Sequence, residues 1–402
     1  MSLLYDPRLP EVVADPYPVF HRLREDDPVH WSEILGGWVL TRYADVKAAL
    51  SDPRLSADRI TPFARSREVG GDNLATLLRL IGLWAVFTDP PRHTRLRGLM
   101  NLAFTSRAVE RLRPQITRIV SELLAAMDAR GGGDLIRDFA YPLPVAVIAD
   151  MLGVPREDSE RFKAWSDELA TFVGSAFGAP DKYARAGRSA AAMADYFRVA
   201  IAERRASPRD DIMSALTAAR DRGEALSEDE VVASCMLLLF AGHETTTNLI
   251  GNAALAFMRN PEPAEAVRAD VALAVAAVEE GVRYDGPTQA MVRVATDEVK
   301  IGGTPLPRGA RIFTMINAAN RDPRQFPDPD RLDVRRELGR HIAFGYGIHF
   351  CLGAPLARLE GQIALPAVLA RRPRLACEED RVVWLDSLVF RGVRALPVAF
   401  RG

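Results

Sequence analysis

The stretch LSEDEVVASCMLLLFAGHETTTNLIGNAALAFMRNPEP, residues 226–263, constrains the fold more than any other part of the chain. Ser227 and Glu230 form an S-x-x-E capping box at its start, and Asn260-Pro261 stops it. Helical throughout, it runs roughly 50 Å at about 1.5 Å per residue. Its middle is apolar nearly all round, which predicts a helix buried through the centre of a fold. The longest apolar run, VVASCMLLLFAG, falls short of the about 20 residues that a bilayer span takes. Inside the helix lies AGHETT, residues 241–246. Glycine weakens a helix, and buried Glu and Thr need hydrogen-bond partners. Such a departure from local preference in a core helix marks a functional site.

A buried helix of this length needs a large body around it, and the chain has 402 residues to supply one. No Ser/Gly linker, low-complexity tract or internal repeat divides it, so a single domain over residues 1–402 is expected. PVHWSEILGGWVLTRYADV reads as a hairpin, with strands around Trp31 and Trp38 and a turn at Gly36-Gly37. AVERLRPQITRIVSELLAAMDARGGGD reads as one helix stopped at Gly131–Gly133. REDSERFKAWSDELATFV and AAAMADYFRVAIAERRA are further amphipathic helices. Short strands return near 299–316 and 381–400 and, with the hairpin, form a small β-rich region. The fold class is mainly α with small β-sheets.

With 52 basic and 53 acidic side chains, nothing points to nucleic acid or to an anionic membrane. The first residues carry acids and prolines where a signal peptide has basic and apolar blocks, so the expected location is cytoplasmic. Nothing demands a dimer, and a monomer is expected. Cys235, Cys351 and Cys377 make no disulfide framework, zinc pair or covalent haem motif.

Cys351 stands apart from the other two. It lies in FGYGIHFCLG, residues 344–353, just before the amphipathic helix LGAPLARLEGQIALPAVLARR, with Pro355 in the first turn. A helix N-terminus stabilises a thiolate. Gly345, Gly347 and Gly353 let the backbone turn tightly and approach a flat ligand. Three readings are open on these grounds: a nucleophile served by His349, a metal ligand, or a buried structural thiol.

The pattern F-G-x-G-x-H-x-C-x-G from Phe344 to Gly353 resembles the haem-binding loop of the cytochrome P450 family, and the resemblance extends along nearly the whole chain. It implies the fold of that family, with haem b between the long central helix and the helix after the cysteine loop. Cys351 is then the axial thiolate ligand of the iron, Phe344, Gly345 and Gly353 shape the loop, and Cys235 and Cys377 are structural. Glu280 and Arg283 match the family's E-x-x-R pair, and Arg331 in FPDPDRLD matches the third member of a structural triad. His93 and Arg97, four apart on one helix face, match its propionate-binding helix, and Arg293 and His349 match two further propionate partners. Arg95 should point elsewhere.

The same resemblance aligns AGHETT with the family's oxygen site. Ala241 and Gly242 leave room beside the haem, and Thr245 supplies a hydroxyl. Glu244 relays protons. His243, Thr246 and Thr247 take structural roles. The implied activity is a monooxygenase that inserts one atom of O2 into a lipophilic small molecule, hydroxylation above all. Electrons come from an external ferredoxin and its NAD(P)H-dependent reductase, since the sequence carries no flavin or iron–sulfur module. By the same resemblance the ferredoxin is acidic and docks on the face nearest the cysteine, where arginines such as Arg107, Arg113 and Arg340 would meet it. The substrate pocket is expected from Leu83, Trp84 and Val86, from Leu238 and Ala241, from Gln289, Met291 and Val292, and from Leu388 and Val389. Most are apolar, as in small-molecule sites, with Gln289 and Thr288 free to bond one neutral polar group. A terpenoid, steroid, polyketide or aromatic compound fits.

Two other readings start from the same residues. A haem-thiolate enzyme driven directly by peroxide tends to replace the acid–alcohol pair that Glu244 and Thr245 retain here. A haem-binding or sensor protein without turnover should lose the cysteine, the threonine or the acid.

Overall fold

The structure is a computed structural model that describes residues 4–65, 72–101, 104–179, 181–221, 224–337, 339–371 and 375–400. The helices that position the site are α1 (Arg92–Asn101), α2 (Arg113–Ala129), α3 (Pro142–Leu152), α4 (Ser159–Val173), α5 (Lys182–Ala206), α6 (Glu228–Arg259), α7 (Ala274–Tyr284) and α8 (Ala354–Leu369). The strands are β1 (Val29–Ser32), β2 (Gly37–Leu40), β3 (Leu55–Ser56), β4 (Gly132–Asp134), β5 (Ala290–Ala295), β6 (Arg311–Met315), β7 (Leu375–Cys377) and β8 (Pro397–Phe400). The chain divides into two compact units. One comprises Met1–Leu55, Leu112–Leu143 and Thr245–Gly402, and the other Ser56–Arg111 and Pro144–Glu244.

The first unit holds the main sheet, ordered β1-β2-β6-β5-β3. Its hairpin forms where the alternating WSEILGGWVL pattern places it: Trp31 faces Trp38 across β1 and β2, with ring centroids 5.3 Å apart. Gly36 makes the turn at φ +57°. β2 runs parallel to β6, and β6 antiparallel to β5, with Ile312 opposite Arg293. Val46, Leu50, Leu306, Ile312 and Ile316 fill one core cluster. Each such side chain, fully buried, stabilises by about 1.5–3 kcal/mol. A second sheet, β7-β8-β4, joins the tail to the glycine stretch after α2. α7 and α8 pack closely: a Cβ on Gly361 would lie 3.0 Å from Val278 of α7 and 3.2 Å from Leu249 of α6.

The second unit is helical apart from short strands. α4 packs on α5, and α5 lies so close to the helix Asp72–Ile81 that a Cβ on Gly187 would meet the Asn73 backbone at 2.8 Å. A buried ion pair, Arg204 to Asp211 at 2.6 Å, braces the end of α5.

α6 begins as its capping box predicts. The Ser227 N–H donates to Glu230 Oε2 at 2.9 Å, and the Glu230 N–H donates to Ser227 Oγ at 3.3 Å. It runs unbroken for 32 residues and stops before Pro261. The helix expected up to Gly131–Gly133 differs. A short helix, Ser106–Glu110, ends at a turn, and α2 restarts at Arg113. Pro114 is the reason: without an N–H it belongs in a first turn, not an interior. Gly132–Asp134 is then a strand paired with Pro397–Ala399, not a loose stop. Among the described residues, no helix is long and apolar enough to cross a membrane.

Candidate active site

Phe344 and Cys351 bracket a closed loop. The Cys351 N–H donates to the Phe344 carbonyl oxygen at 2.8 Å, and Gly347–His349 make one 3-10 turn between them. Gly345 (φ +76°) and Gly347 (φ +72°) adopt left-handed backbone that side chains disfavour. Gly353 caps α8, and Pro355 occupies its first turn. Cys351 is half-buried, whereas Cys235 is wholly buried, its thiol pushed up to about 12 by burial and then by the charge of Asp211. Cys235 therefore stays protonated, and Cys377 sits in β7. Met291 of β5 lies beside the loop: a Cβ on Gly345 would stand 3.7 Å from its Cε. Arg293 lies two residues on and shares that face of the strand. It is buried and donates to the Val292 carbonyl at 3.0 Å.

α6 is buried at every residue from Val231 to Phe240 and again from Thr246 to Phe257. Between those stretches Ala241 is exposed, and Glu244 and Thr245 are half-exposed. These three positions, i, i+3 and i+4, share one helix face. A helix so thoroughly packed shows surface at a single turn only where open space lies against it. His243 is on another side, fully buried, with Nδ1 2.7 Å from the Leu239 carbonyl oxygen, and Thr246 and Thr247 are buried in packing. Gly242 departs from expectation. A Cβ there would meet Ile148 of α3 at 2.7 Å, so its missing side chain makes room for a neighbouring helix.

His93 is buried on α1, and burial, together with the charge of Arg97 one turn on, holds its imidazole below the usual range. Arg95 points away as expected and pairs with Glu230, the acid of the capping box. Glu280 and Arg283 form a bidentate buried pair at 2.7 and 2.8 Å.

The third member of that group is corrected. The Arg331 side chain is 63% exposed and reaches toward Glu262 at 4.0 Å. What it offers the pair is its carbonyl oxygen, which accepts from Arg283 at 3.2 Å. Arg336 supplies the second cation, its Nε 3.3 Å from Glu280 Oε1. The chain turns after Asp333, whose N–H also donates to Glu280, and this brings Arg336 inward while Arg331 faces out. No spacing rule could have found it. Sequence reasoning also missed Glu279, His341 and Arg358. The only signal was the doublet Glu279-Glu280, whose members point about 100° apart on a helix.

The residues expected around a substrate fall into two groups. Leu83, Met291 and Val86 have accessible surface, Val86 most of all, as does Ala241. Trp84, Leu238, Gln289, Val292, Leu388 and Val389 are buried. Trp84 stacks on Phe240 with centroids 5.3 Å apart. The Gln289 amide, expected to be free for a polar group, donates instead to the Leu388 carbonyl at 3.5 Å, while its backbone N–H donates to Val389 at 2.8 Å. Thr288 bridges to Phe390. These contacts bind the tail to the start of β5.

A glycine-turned loop presenting a half-buried thiol before a helix, and a core helix opened at an acid–alcohol turn, define a haem-thiolate oxygenase. The chain belongs to the cytochrome P450 family, whose model, described as Cytochrome P450, matches residues 73–380. Cytochrome P450 107B1 of Saccharopolyspora erythraea is 43% identical over 393 residues, covering 94% of this chain and 93% of that one. The vitamin D(3) 25-hydroxylase of Pseudonocardia autotrophica is 41% identical over 390 residues, covering 96% and 93%. The solved structure of the tirandamycin C-bound P450 monooxygenase TamI is similar at a TM-score of 0.86 and 39% identity, covering 99% of this chain and all of that one (100%). The protein is a haem-thiolate monooxygenase that uses O2, a substrate and redox partners, and its haem iron takes a cysteine ligand.

The residues present fit that group. Of the three cysteines, Cys351 has the loop and exposure that a ligand needs, and a Cβ built on Gly353 beside it would meet nothing within 4 Å. Donors suited to a carboxylate stand in each unit taken by itself: His93 and Arg97 on α1 of the second, and Arg293 on β5 of the first.

Proposed function

We propose that the protein hydroxylates a lipophilic substrate of polyketide or steroid type, with Cys351 as the iron ligand and electrons delivered by a ferredoxin and its NAD(P)H-dependent reductase. The observation that carries this is the single open turn of α6 at Ala241, Glu244 and Thr245. Haem, when bound, supplies the iron that activates O2 for insertion of one oxygen atom into a C–H bond. His93, Arg97, Arg293 and His349 would hold its propionates, which such cations and imidazoles suit as hydrogen-bond donors. Phe344, Gly345 and Gly353 set the loop that aims the sulfur.

Thr245 Oγ1 accepts and donates hydrogen bonds on the open face of α6, and the Glu244 carboxyl beside it exchanges protons with solvent. The small Ala241 side chain leaves space there. Val86 and Leu83 give apolar surface in the second unit and Met291 in the first, and the Gln289 amide is engaged with Leu388, which leaves shape as the main selector. The similarity to a vitamin D(3) hydroxylase and to a tirandamycin C-bound enzyme supports a large, mostly apolar substrate. The two units work as one catalytic domain over residues 1–402, and the working form is a cytoplasmic monomer.

Arg107, Arg113 and Arg340 are exposed and meet an acidic ferredoxin. Docking of this kind weakens with salt. The test is the spectrum of the dithionite-reduced, haem-loaded protein with carbon monoxide, followed by a compound screen for the spin shift of substrate binding. A strongly red-shifted Soret band and a spin shift with polyketides or steroids support the proposal. A band typical of histidine or thiol ligation overturns the assignment of Cys351. Turnover rates unaffected by rising salt would remove the arginine docking face.

A further inference from the structure

Glu279 stands beside the E-x-x-R pair but faces another way. Its carboxylate is buried on α7 and takes both arms of the Arg358 guanidinium, Nε to Oε1 at 2.7 Å and the second nitrogen to Oε2 at 2.9 Å. His341 Nε2 lies 3.0 Å from the same Oε2. The Ala343 N–H donates to His341 Nδ1 at 3.3 Å, so Nδ1 carries no proton and Nε2–H is the donor to Glu279. Burial alone would push this carboxyl up, but the hydrogen bonds from His341 and Arg358 and the guanidinium charge outweigh it and hold it below the usual carboxylate range. The group is therefore a fixed anion.

Both partners lead to the cysteine loop. The Arg358 guanidinium carbon sits 4.4 Å from the centroid of the Phe344 ring, and the His341 ring is 6.0 Å from it. Phe344 is the residue whose carbonyl oxygen receives the Cys351 N–H. Arg358 itself stands on α8, two turns beyond Cys351. One anion on α7 thus fixes a cation and an imidazole around the ring at the loop's first residue. A guanidinium held over an aromatic face is attracted by the ring, more strongly where it is desolvated, and its planar fork cannot be replaced by an ammonium.

We propose that Glu279 is a positioning residue for the axial ligand, acting through Arg358 and His341 on Phe344 to hold the loop in the geometry that presents the Cys351 sulfur. This rests on the assignment of Cys351 as ligand and adds to it the outer group that maintains the ligand. Outer partners of metal ligands tune affinity and function by 10–100-fold.

The experiment compares wild type, Glu279→Gln, Glu279→Asp and Arg358→Lys as haem-loaded full chains, with Asp211→Asn as a control at a buried ion pair of the second unit. Each is reduced under carbon monoxide, and the thiol-ligated and thiolate-ligated Soret bands are read together with the thermal midpoint. The expected result is a ratio of thiol-ligated to thiolate-ligated form raised roughly 10-fold in Glu279→Gln and Arg358→Lys. Glu279→Asp should restore part of it. Asp211→Asn should lower the thermal midpoint without changing the ratio. Wild-type ratios in Glu279→Gln and Arg358→Lys overturn the proposal, and so does a ratio that merely follows thermal stability across all variants. Should Glu279→Gln fail to fold, Arg358→Lys, which keeps the charge, decides alone. Absence of the thiolate band from wild type would instead overturn the assignment of Cys351.

Discussion

The backbone N–H of Cys351 points back to the carbonyl oxygen of Phe344, 2.8 Å away. Seven residues of sequence separation are reduced to one hydrogen bond, so the sulfur is only as well placed as the turns at Gly345 and Gly347 allow. Replacing Gly345 by alanine puts a Cβ on a backbone at φ +76° and should cost about 1–2 kcal/mol. Thermal unfolding of Gly345→Ala should show that loss together with a broadened thiolate Soret band. An unchanged melting point would mean that the loop relaxes freely.

Cys351→Ser should fold, because Cys351 is half-buried and serine retains the N–H that closes the loop on Phe344. The reduced carbon monoxide complex should then lack the red-shifted band. Retention of that band would transfer the ligand role to another residue.

Thr245→Ala removes a hydroxyl from the exposed face of α6 without leaving a cavity in the core. Haem content and substrate affinity should stay at wild-type values. Product formed per NAD(P)H consumed should fall by about 10-fold or more, with peroxide accounting for the difference. Stoichiometry of NAD(P)H, peroxide and product checks it.

Glu280 and Arg283 are nearly inaccessible, at 3% and 2% of side-chain surface. Glu280→Gln leaves two guanidinium groups, Arg283 and Arg336, short of their anion. The expected loss is about 3–5 kcal/mol, read by denaturant unfolding, with poor haem retention. A loss no larger than that of an exposed pair would show that the carbonyl oxygens around Arg283 suffice.

His243 gives a pH dependence with a definite sign. Burial pushes its imidazole down from the ordinary 6.5 to about 4, against the opposing pull of the Leu239 carbonyl and Asp167 and with a small added push from Lys163. Between those values the unfolded chain binds a proton that the native protein excludes. Stability should therefore fall as pH drops from about 6.5 to about 4, by up to about 3 kcal/mol, and then level off with respect to this group. Unfolding free energies at several pH values, compared with those of His243→Gln, isolate the contribution: the variant should have the shallower slope.

Much of the frame was legible because its signals are local. The capping box of Ser227 and Glu230, the Gly36 turn and the Cys351 loop each depend on residues close in sequence. The open turn of α6 was legible too, as polar residues interrupting an apolar run. What was not legible depends on how the chain returns through space. Arg336 reaches Glu280 across 56 positions of sequence, and Arg358 reaches Glu279 across 79. Gln289 looked available because no pattern could show the tail crossing β5 to offer it the Leu388 carbonyl. Pro114 was the exception, a local signal whose first-turn preference outweighed the helical periodicity around it.

The packing along α6 also separates two kinds of tolerance. Phe240 on one side of Ala241 is buried, and Gly242 on the other is pressed to Ile148, so enlarging either disturbs the interior. Ala241 itself is exposed. Larger side chains at that position are expected to narrow the range of substrates while the melting point stays near wild type, which a substrate screen and thermal unfolding of Ala241→Val check. The same turn of helix thus joins two positions closed to larger side chains with one that is open to them.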